Sequence, residues 1–457
     1  AQSFSPPAGA LGKEGGQLFR HAGPGLCLYH LSASRVIRIG SKPGSVNPPE
    51  LEPANDPYAV LRNRDFALYL VGRFIASLGQ QMLVVAVGWE IYERTHAFLP
   101  LGIVGLVQMV PMFLFTFPAG HVADNYNRKQ VLLWTQIAMA VICAGLALIS
   151  ALQAPVAWTY CCLFAMGTAR TYMWPASASF MPQLVPRELF ARAVAWNTGC
   201  FQIAAVIGPA AGGLLIWLTH RAVEVYAFNA VASVICFALI LWVRSHQPAP
   251  ARERMSVKSL IAGLKFVYRT KIVLGSITLD MFAVLLGGAT AMLPVYAKDI
   301  LHVGPSGLGL LQAALPFGSL LMALVLVHRP PLQKAGRTLL WAVVIFGLAT
   351  IGFGFSSSFW FSFAMLFLCG ASDYISVVVR HTLVQLLTPD EMRGRVSAVN
   401  SLFIGTSNQM GEFESGFVAN LFGPVFAVVS GGIGTILIVI ATAVVWPEIR
   451  KYGRLDT

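Results

Sequence analysis

Charge is scarce in this chain. Only 11% of its 457 residues are Asp, Glu, Lys or Arg, where a soluble domain carries about 25%. With 56% hydrophobic residues and a mean hydropathy of +0.67, that shortage excludes an ordinary water-soluble domain and points to a polytopic membrane protein. Acids are scarcer still, 20 against 32 bases. The resulting net charge of +12 is no nucleic-acid footprint, because the bases gather in loops on one side, as membrane topology demands. Metal-ligand spacing is missing: the seven cysteines show no C-x-x-C, and all but Cys27 lie in apolar runs, where they read as small core residues. No G-x-x-x-x-G-K-[ST] loop occurs, so ATP drive by this chain is unsupported. His220, His302, His328 and His381 are scattered near the ends of apolar runs. No Ser/His/Asp or metal constellation forms, so neither an enzyme nor a bound cofactor is expected.

What is abundant is long apolar segments. Twelve runs of the length needed to cross a bilayer as helices are read at 66–90, 99–122, 130–152, 156–180, 194–218, 222–243, 273–296, 308–327, 338–356, 359–379, 396–420 and 424–446. Most Lys and Arg fall in alternate connections, and only Arg94, Arg221 and Lys298 lie in the opposite ones. The positive-inside rule then places both termini in the cytoplasm, in keeping with an even number of spans. Residues 1–64, rich in Pro, Gly and Ser and without a secretory signal pattern, are expected to be a disordered cytoplasmic tail. The expected organisation is this tail, a six-helix half over 65–244, a linker over 245–271, a second half over 272–447 and a short cytoplasmic tail over 448–457. Within the linker, 257–269 reads as an amphipathic helix on the cytoplasmic surface.

The chain repeats. Arg192 and Asn197 recur as Arg395 and Asn400, Gly167 as Gly370, Gly208 as Gly411 and Gly213 as Gly416, always 203 residues apart. Agreement at a fixed offset in several places argues against chance similarity of Leu-rich helices. It implies an all-α membrane protein built of two pseudo-symmetric six-helix halves.

Two motifs carry a mechanism. Between the second and third runs, Gly120, Asp124, Arg128 and Lys129 form a compact turn. The glycine allows close helix approach, the acid suits a helix N-terminus and the basic pair holds the turn in the cytoplasm. In the fifth run, Gly208, Pro209, Gly212 and Gly213 combine small residues with a proline that can kink a helix. The first pattern resembles the G-x-x-x-D-x-x-x-R-K signature of the major facilitator superfamily. It departs at Asn127, which stands where glycine is usual and is expected to accept a left-handed turn. The second resembles the G-P-x-x-G-G core found in exporters of that superfamily. Gly167-Thr168-Ala169-Arg170, Gln183-Leu184-Val185-Pro186, Arg73-Phe74-Ile75-Ala76-Ser77-Leu78-Gly79 and the stretch from Asn408 to Gly416 are similar to the branch that contains siderophore exporters and related secretion and drug-efflux proteins. The resemblance covers about residues 66–450. It implies secondary-active export of a small organic molecule, a siderophore or amphipathic drug, from the inner membrane of the cell. It also implies protons as coupling ion and no nucleic-acid partner, and a monomer is expected. The R-x-x-x-G pattern of many proton-driven drug exporters is absent, because Leu163 occupies its Arg position. Uptake or lipid translocation, and a non-transporting sensor or scaffold, are the alternatives.

Charges inside apolar runs are costly and mark function. Arg73, Arg170, Asp280 and Asp373 fall at similar depth, two arginines in the first half and two aspartates in the second, with Arg170 and Asp373 as repeat mates. They are expected to form an ionic gate between the halves, opened when an aspartate is protonated. Static pairing, including Arg170 with Asp124, is the competing reading. Glu412 and Glu414, two residues apart and so on different helix faces, are expected near the outer vestibule.

Overall fold

A backbone surrounded by lipid must satisfy its own N–H and C=O groups, and a helix does so within one segment. In the computed structural model, which describes residues 56, 58–244, 257–329 and 333–453, the apolar runs are all helical, and no strand occurs among these described residues. The first half holds α1 (Arg64–Thr95), α2 (Leu99–Asn125), α3 (Arg128–Ala151), α4 (Val156–Phe180), α5 (Phe190–Thr219) and α6 (Val223–Trp242). A helix α7 (Val257–Arg269) precedes the second half. That half holds α8 (Lys271–Leu286), the one-turn α9 (Leu293–Val295), α10 (Gly304–Val327), α11 (Ala335–Gly354), α12 (Phe359–Leu387), α13 (Arg393–Phe422) and α14 (Pro424–Val445), with a short α15 (Pro447–Lys451) at its end. The seventh run is one crossing made of α8, α9 and the π-helical turn Tyr296–Ile300. The expected disordered tail over 1–64 lies mostly outside the described residues; its described end is ordered instead, Ala59–Arg62 forming a helical turn that buries Val60 in the first half.

Ten of these segments are long and apolar enough to cross a membrane among the described residues. The two full-length helices left over are α4 and α13, 25 and 30 residues long. They fall short in apolarity, not in length: α4 carries Arg170, and α13 carries Asn408, Gln409, Glu412 and Glu414. Large side chains on the outside of the bundle are bare, with Trp134 71% and Val327 80% exposed. Such a surface belongs in lipid rather than water.

Helix ends are set locally. Asn63 caps α1, its side chain accepting from the N–H groups of Asp65 at 3.0 Å and Phe66 at 3.3 Å. Asn127 caps α3 in the same way, accepting from Gln130 at 3.1 Å. Its φ of −62° is extended, so the expected left-handed turn is not used. An amide side chain in the glycine position serves instead as an N-cap.

The α2–α3, α4–α5, α10–α11 and α12–α13 connections share one end of the bundle with α7. This end, rich in Lys and Arg, is the basic face; the other is the opposite face. Towards the opposite face one hydrophobic core joins both halves, with Met82 and Tyr92 of α1 in the same cluster as Met292, Tyr296 and Leu311. Towards the basic face the core divides. Phe66, Leu132 and Phe180 cluster within the first half, while Leu279, Leu339 and Val379 form a separate cluster in the second.

Repeated glycines make the joined end. On α5, Gly208 packs against Gln81 and Leu78 of α1, its own half, and Gly213 packs across onto Gly309 of α10. On α13, Gly411 packs against Val284 and Leu285 of α8, and Gly416 packs across onto Gly102 of α2. The 203-residue repeat is therefore a repeat of contacts. A Cβ on Gly213 would stand 2.9 Å from Gly309 Cα, and one on Gly416 would stand 2.6 Å from Gly102 Cα. Both distances demand that backbones move apart. Gly213→Val is expected to weaken the joined end and raise the population open at the opposite face. Maleimide labelling of Ala291→Cys, on the cavity wall, would report it as faster modification from that side.

The seventh crossing differs from the continuous run expected over 273–296. It breaks at Gly287–Gly288, where Gly411 of α13 presses its carbonyl to within 2.6 Å of any Cβ on Gly288. Two glycines make the close approach feasible, and Pro294, which lacks an N–H, follows.

Candidate functional site

Between the halves lies a cavity of about 240 Å³. The first half supplies Val84 and Val87 of α1, Gln108 of α2 and Arg170 of α4. The second half supplies Thr290 and Pro294 beside the break, Gln312 of α10, and Gln409 and Glu412 of α13. The two helices of reduced apolarity thus bring Arg170 and Glu412 to one place. Arg170 Nη1 donates to Gln108 Oε1 at 3.2 Å. Its Nε is buried without a partner, and so is Gln409 Oε1. Arg170 and Glu412 interact electrostatically, but no ion pair joins them among the described residues. The cavity therefore offers an unsatisfied cationic donor from one half and an acid from the other, with three glutamine amides between them.

The other expected gate residues are placed elsewhere. Arg73 Nη1 meets Met173 Sδ of α4 at 3.2 Å, inside the first half. Asp280 Oδ2 pairs with Arg380 Nη1 of α12 at 2.9 Å, with side chains 7% and 2% exposed. Asn400 Oδ1 accepts from the same Nη1 at 3.2 Å. Asp373 lines one small void with Asp280 and lies within electrostatic reach of both Asp280 and Arg380. The expected ionic gate between the halves is corrected for Asp280, which takes its arginine from its own half. Towards the basic face the buried apolar clusters of the two halves are separate, and Arg380 of the same half stands within ion-pair distance of Asp280. Nor does Arg170 reach Asp124; its hydrogen bond goes to Gln108.

In the loop motif, Gly120 is buried. Arg128 Nε donates to Ala123 O at 3.3 Å, bridging the turn. Lys129 Nζ donates to Leu241 O at 2.9 Å and Val243 O at 2.7 Å, closing the carbonyl end of α6. No hydrogen bond to Asp124 from a helix N-terminus occurs among the described residues. In the exporter-like motif, Pro209 lies inside α5, and a Cβ on Gly212 would meet Met82 Cα at 2.9 Å. Glu412 lines the cavity. Glu414 does not line it and leaves Oε2 unpartnered.

A further cross-half contact, one with no motif to announce it, closes the opposite face. Tyr92 of α1 donates to Asp299 of the π-turn. Glu93 pairs with Lys298 at 2.8 Å, and Lys298 Nζ also lies 5.8 Å from the Tyr92 ring centre. The Glu93–Lys298 pair is partly exposed, so it is worth about 0.2–1 kcal/mol. A hydrogen bond to a charged acceptor contributes about 1.5–3 kcal/mol. Tyr92→Phe is therefore expected to raise labelling of Ala291→Cys from the opposite face more than Glu93→Gln does; the reverse order would contradict the ranking. Glu90, by contrast, is tied within the first half to Arg94 at 3.4 Å and to Tyr226 Oη at 2.7 Å.

Helices in two related halves, a cavity between them and charges at its wall define a membrane transporter of the major facilitator kind. The family model for transmembrane secretion effectors matches residues 55–453, and the chain belongs to that family. The enterobactin exporters EntS of Escherichia coli O1:K1 and Shigella boydii serotype 18 are each 25% identical over 391 residues, 85% of this chain and 93% of the relative. Among solved structures, the fold is similar to that of a bacterial homologue of the human lysosomal transporter Spinster, inward-facing and unoccupied. That likeness has a TM-score of 0.63 and 14% identity over 87% of this chain and 96% of the other. The nucleoside transporter NupG gives 0.67, with 10% identity over 83% and 99%.

Proposed function

We propose that this protein exports a small organic molecule, of siderophore or comparable amphipathic type, across the inner membrane by alternating access coupled to protons. The observation that carries the proposal is the cavity whose wall is shared by Arg170 of one half and Glu412 of the other. A solute held there touches both halves, so its binding can bias their rocking. The basic face is taken as cytoplasmic, with both termini on that side. The core is joined at the opposite face and divided at the basic face, which supports an inward-facing arrangement with the outer side shut. At about 240 Å³ the cavity is smaller than the roughly 300–1,000 Å³ of most ligand sites. Substrate entry therefore requires the halves to separate further.

Similarity to enterobactin exporters supports the substrate class, and the unsatisfied Arg170 Nε suits an anionic oxygen on it. The second half supplies the proton site: Asp373 lies within electrostatic reach of the Asp280–Arg380 pair, so a proton on Asp373 brings the three-residue cluster to neutrality. The test is flux into or out of proteoliposomes under an imposed pH gradient, with enterobactin and fluorescent amphipathic drugs as probes. Gradient-driven movement of at least one probe is expected. Movement that ignores the gradient would remove proton coupling, and no movement of any probe would remove export of this class.

A further inference from the structure

We propose that a recess at the basic face of the first half binds the headgroup of an anionic phospholipid. The recess, of about 850 Å³, lies where the N-terminal ends of α1 and α3 meet the C-terminal end of α6. Each helix brings one cation to it: Arg64, Lys129 and Arg244. Lys129 is held in place by the two carbonyls at the end of α6. Arg64 and Arg244 are exposed, and neither forms an ion pair among the described residues. Asp65, the acid nearest in sequence, has one oxygen engaged by the Arg244 backbone N–H at 3.0 Å. Three like charges converging from three helices repel one another, and a bound anion relieves that repulsion. The positive ends of the α1 and α3 dipoles act in the same sense, and the negative end of α6 is met by Lys129.

The wall of the recess selects the kind of anion. Leu241 and Trp242 lie on it, 50% and 62% exposed. A soluble anion gains nothing from an apolar wall. A phospholipid uses both parts: its phosphate meets the cations while its glycerol and upper acyl chain lie against Leu241 and Trp242. Trp is favoured at this bilayer boundary, and basic residues beside spans attract anionic lipids. A zwitterionic headgroup would bring its own cation among the three, so a net negative headgroup is the better match. Bound there, the lipid would tie together the ends of α1, α3 and α6 next to the loop motif.

The test uses the full chain in detergent, with native mass spectrometry and added phosphatidylglycerol or phosphatidylcholine. The native chain is expected to retain phosphatidylglycerol in preference to phosphatidylcholine. Arg64→Gln or Arg244→Gln alone should weaken retention by roughly fivefold, and the pair by roughly thirtyfold. Thermal unfolding without added lipid should stay unchanged, because neither side chain holds the fold. Lys129 is left intact because it closes α6. Retention of phosphatidylglycerol by the double variant at the native level, or equal retention of phosphatidylcholine by the native chain, would overturn the proposal. Displacement of the lipid by inorganic phosphate would reassign the recess to a soluble anion.

Discussion

Arg170→Gln is expected to fold at least as well as the native chain and to transport far less. Arg170 is a cation inside the bundle with one neutral hydrogen bond and one orphaned N–H. A charge held this way costs stability, because its loss of water is not repaid by a paired acid. Gln removes the charge and keeps a side chain able to reach Gln108. The melting temperature should hold or rise. Function should move the other way. A hydrogen bond from a charged donor to substrate contributes about 1.5–3 kcal/mol, so kcat/KM for an anionic substrate should fall roughly ten- to hundredfold. A Glu412→Gln change at the facing wall should leave anionic substrates less affected and reduce transport of cationic probes. Steady-state efflux and thermal unfolding of the same preparations decide the matter. An Arg170→Gln protein that melts early would show that Arg170 is structural, and unchanged efflux would remove it from the substrate path.

The sequence made the helices and the repeat legible, because each rests on local chemistry. Apolar length gives a span, and a 203-residue offset gives a mate for Gly208 and Gly213 whose contacts the fold then reproduces. Residues 257–269 form the helix their spacing implied. Partnering was harder. The partner of Asp280 was hidden because the apolar run stops at 379, one residue short of Arg380, while α12 continues to Leu387. The usable signal was its spacing: Asp373 and Arg380 are seven apart and share a helix face. The placing of Glu412 and Glu414 on different faces followed from their spacing, but which face meets the cavity depends on how α13 packs on α2. Lys298 and Asp299 gave no signal at all. A short polar turn becomes a closure only once the halves are set against each other.

Asp280 and Asp373 lie in one cluster, yet replacing each by Asn should give opposite kinds of failure. Asp280 faces Arg380 at 2.9 Å with almost no exposure of either side chain. Removing that carboxylate strands a buried guanidinium and should cost about 3–5 kcal/mol, a large part of the roughly 5–15 kcal/mol that holds a domain folded. Asp280→Asn is therefore expected to express poorly and melt early. The joint replacement Asp280→Leu with Arg380→Met, which removes both charges at similar volume, should recover most of the loss. Asp373 forms no ion pair among the described residues, so Asp373→Asn strands nothing. It imitates the protonated cluster and should fold normally, with gradient-driven flux lost and exchange of substrate at equal pH retained. That separation of stability from coupling is what a proton site requires and a static brace does not. If Asp373→Asn kept full gradient-driven flux, the proton would have to travel elsewhere, and Glu412, the acid already on the cavity wall, would become the residue to replace.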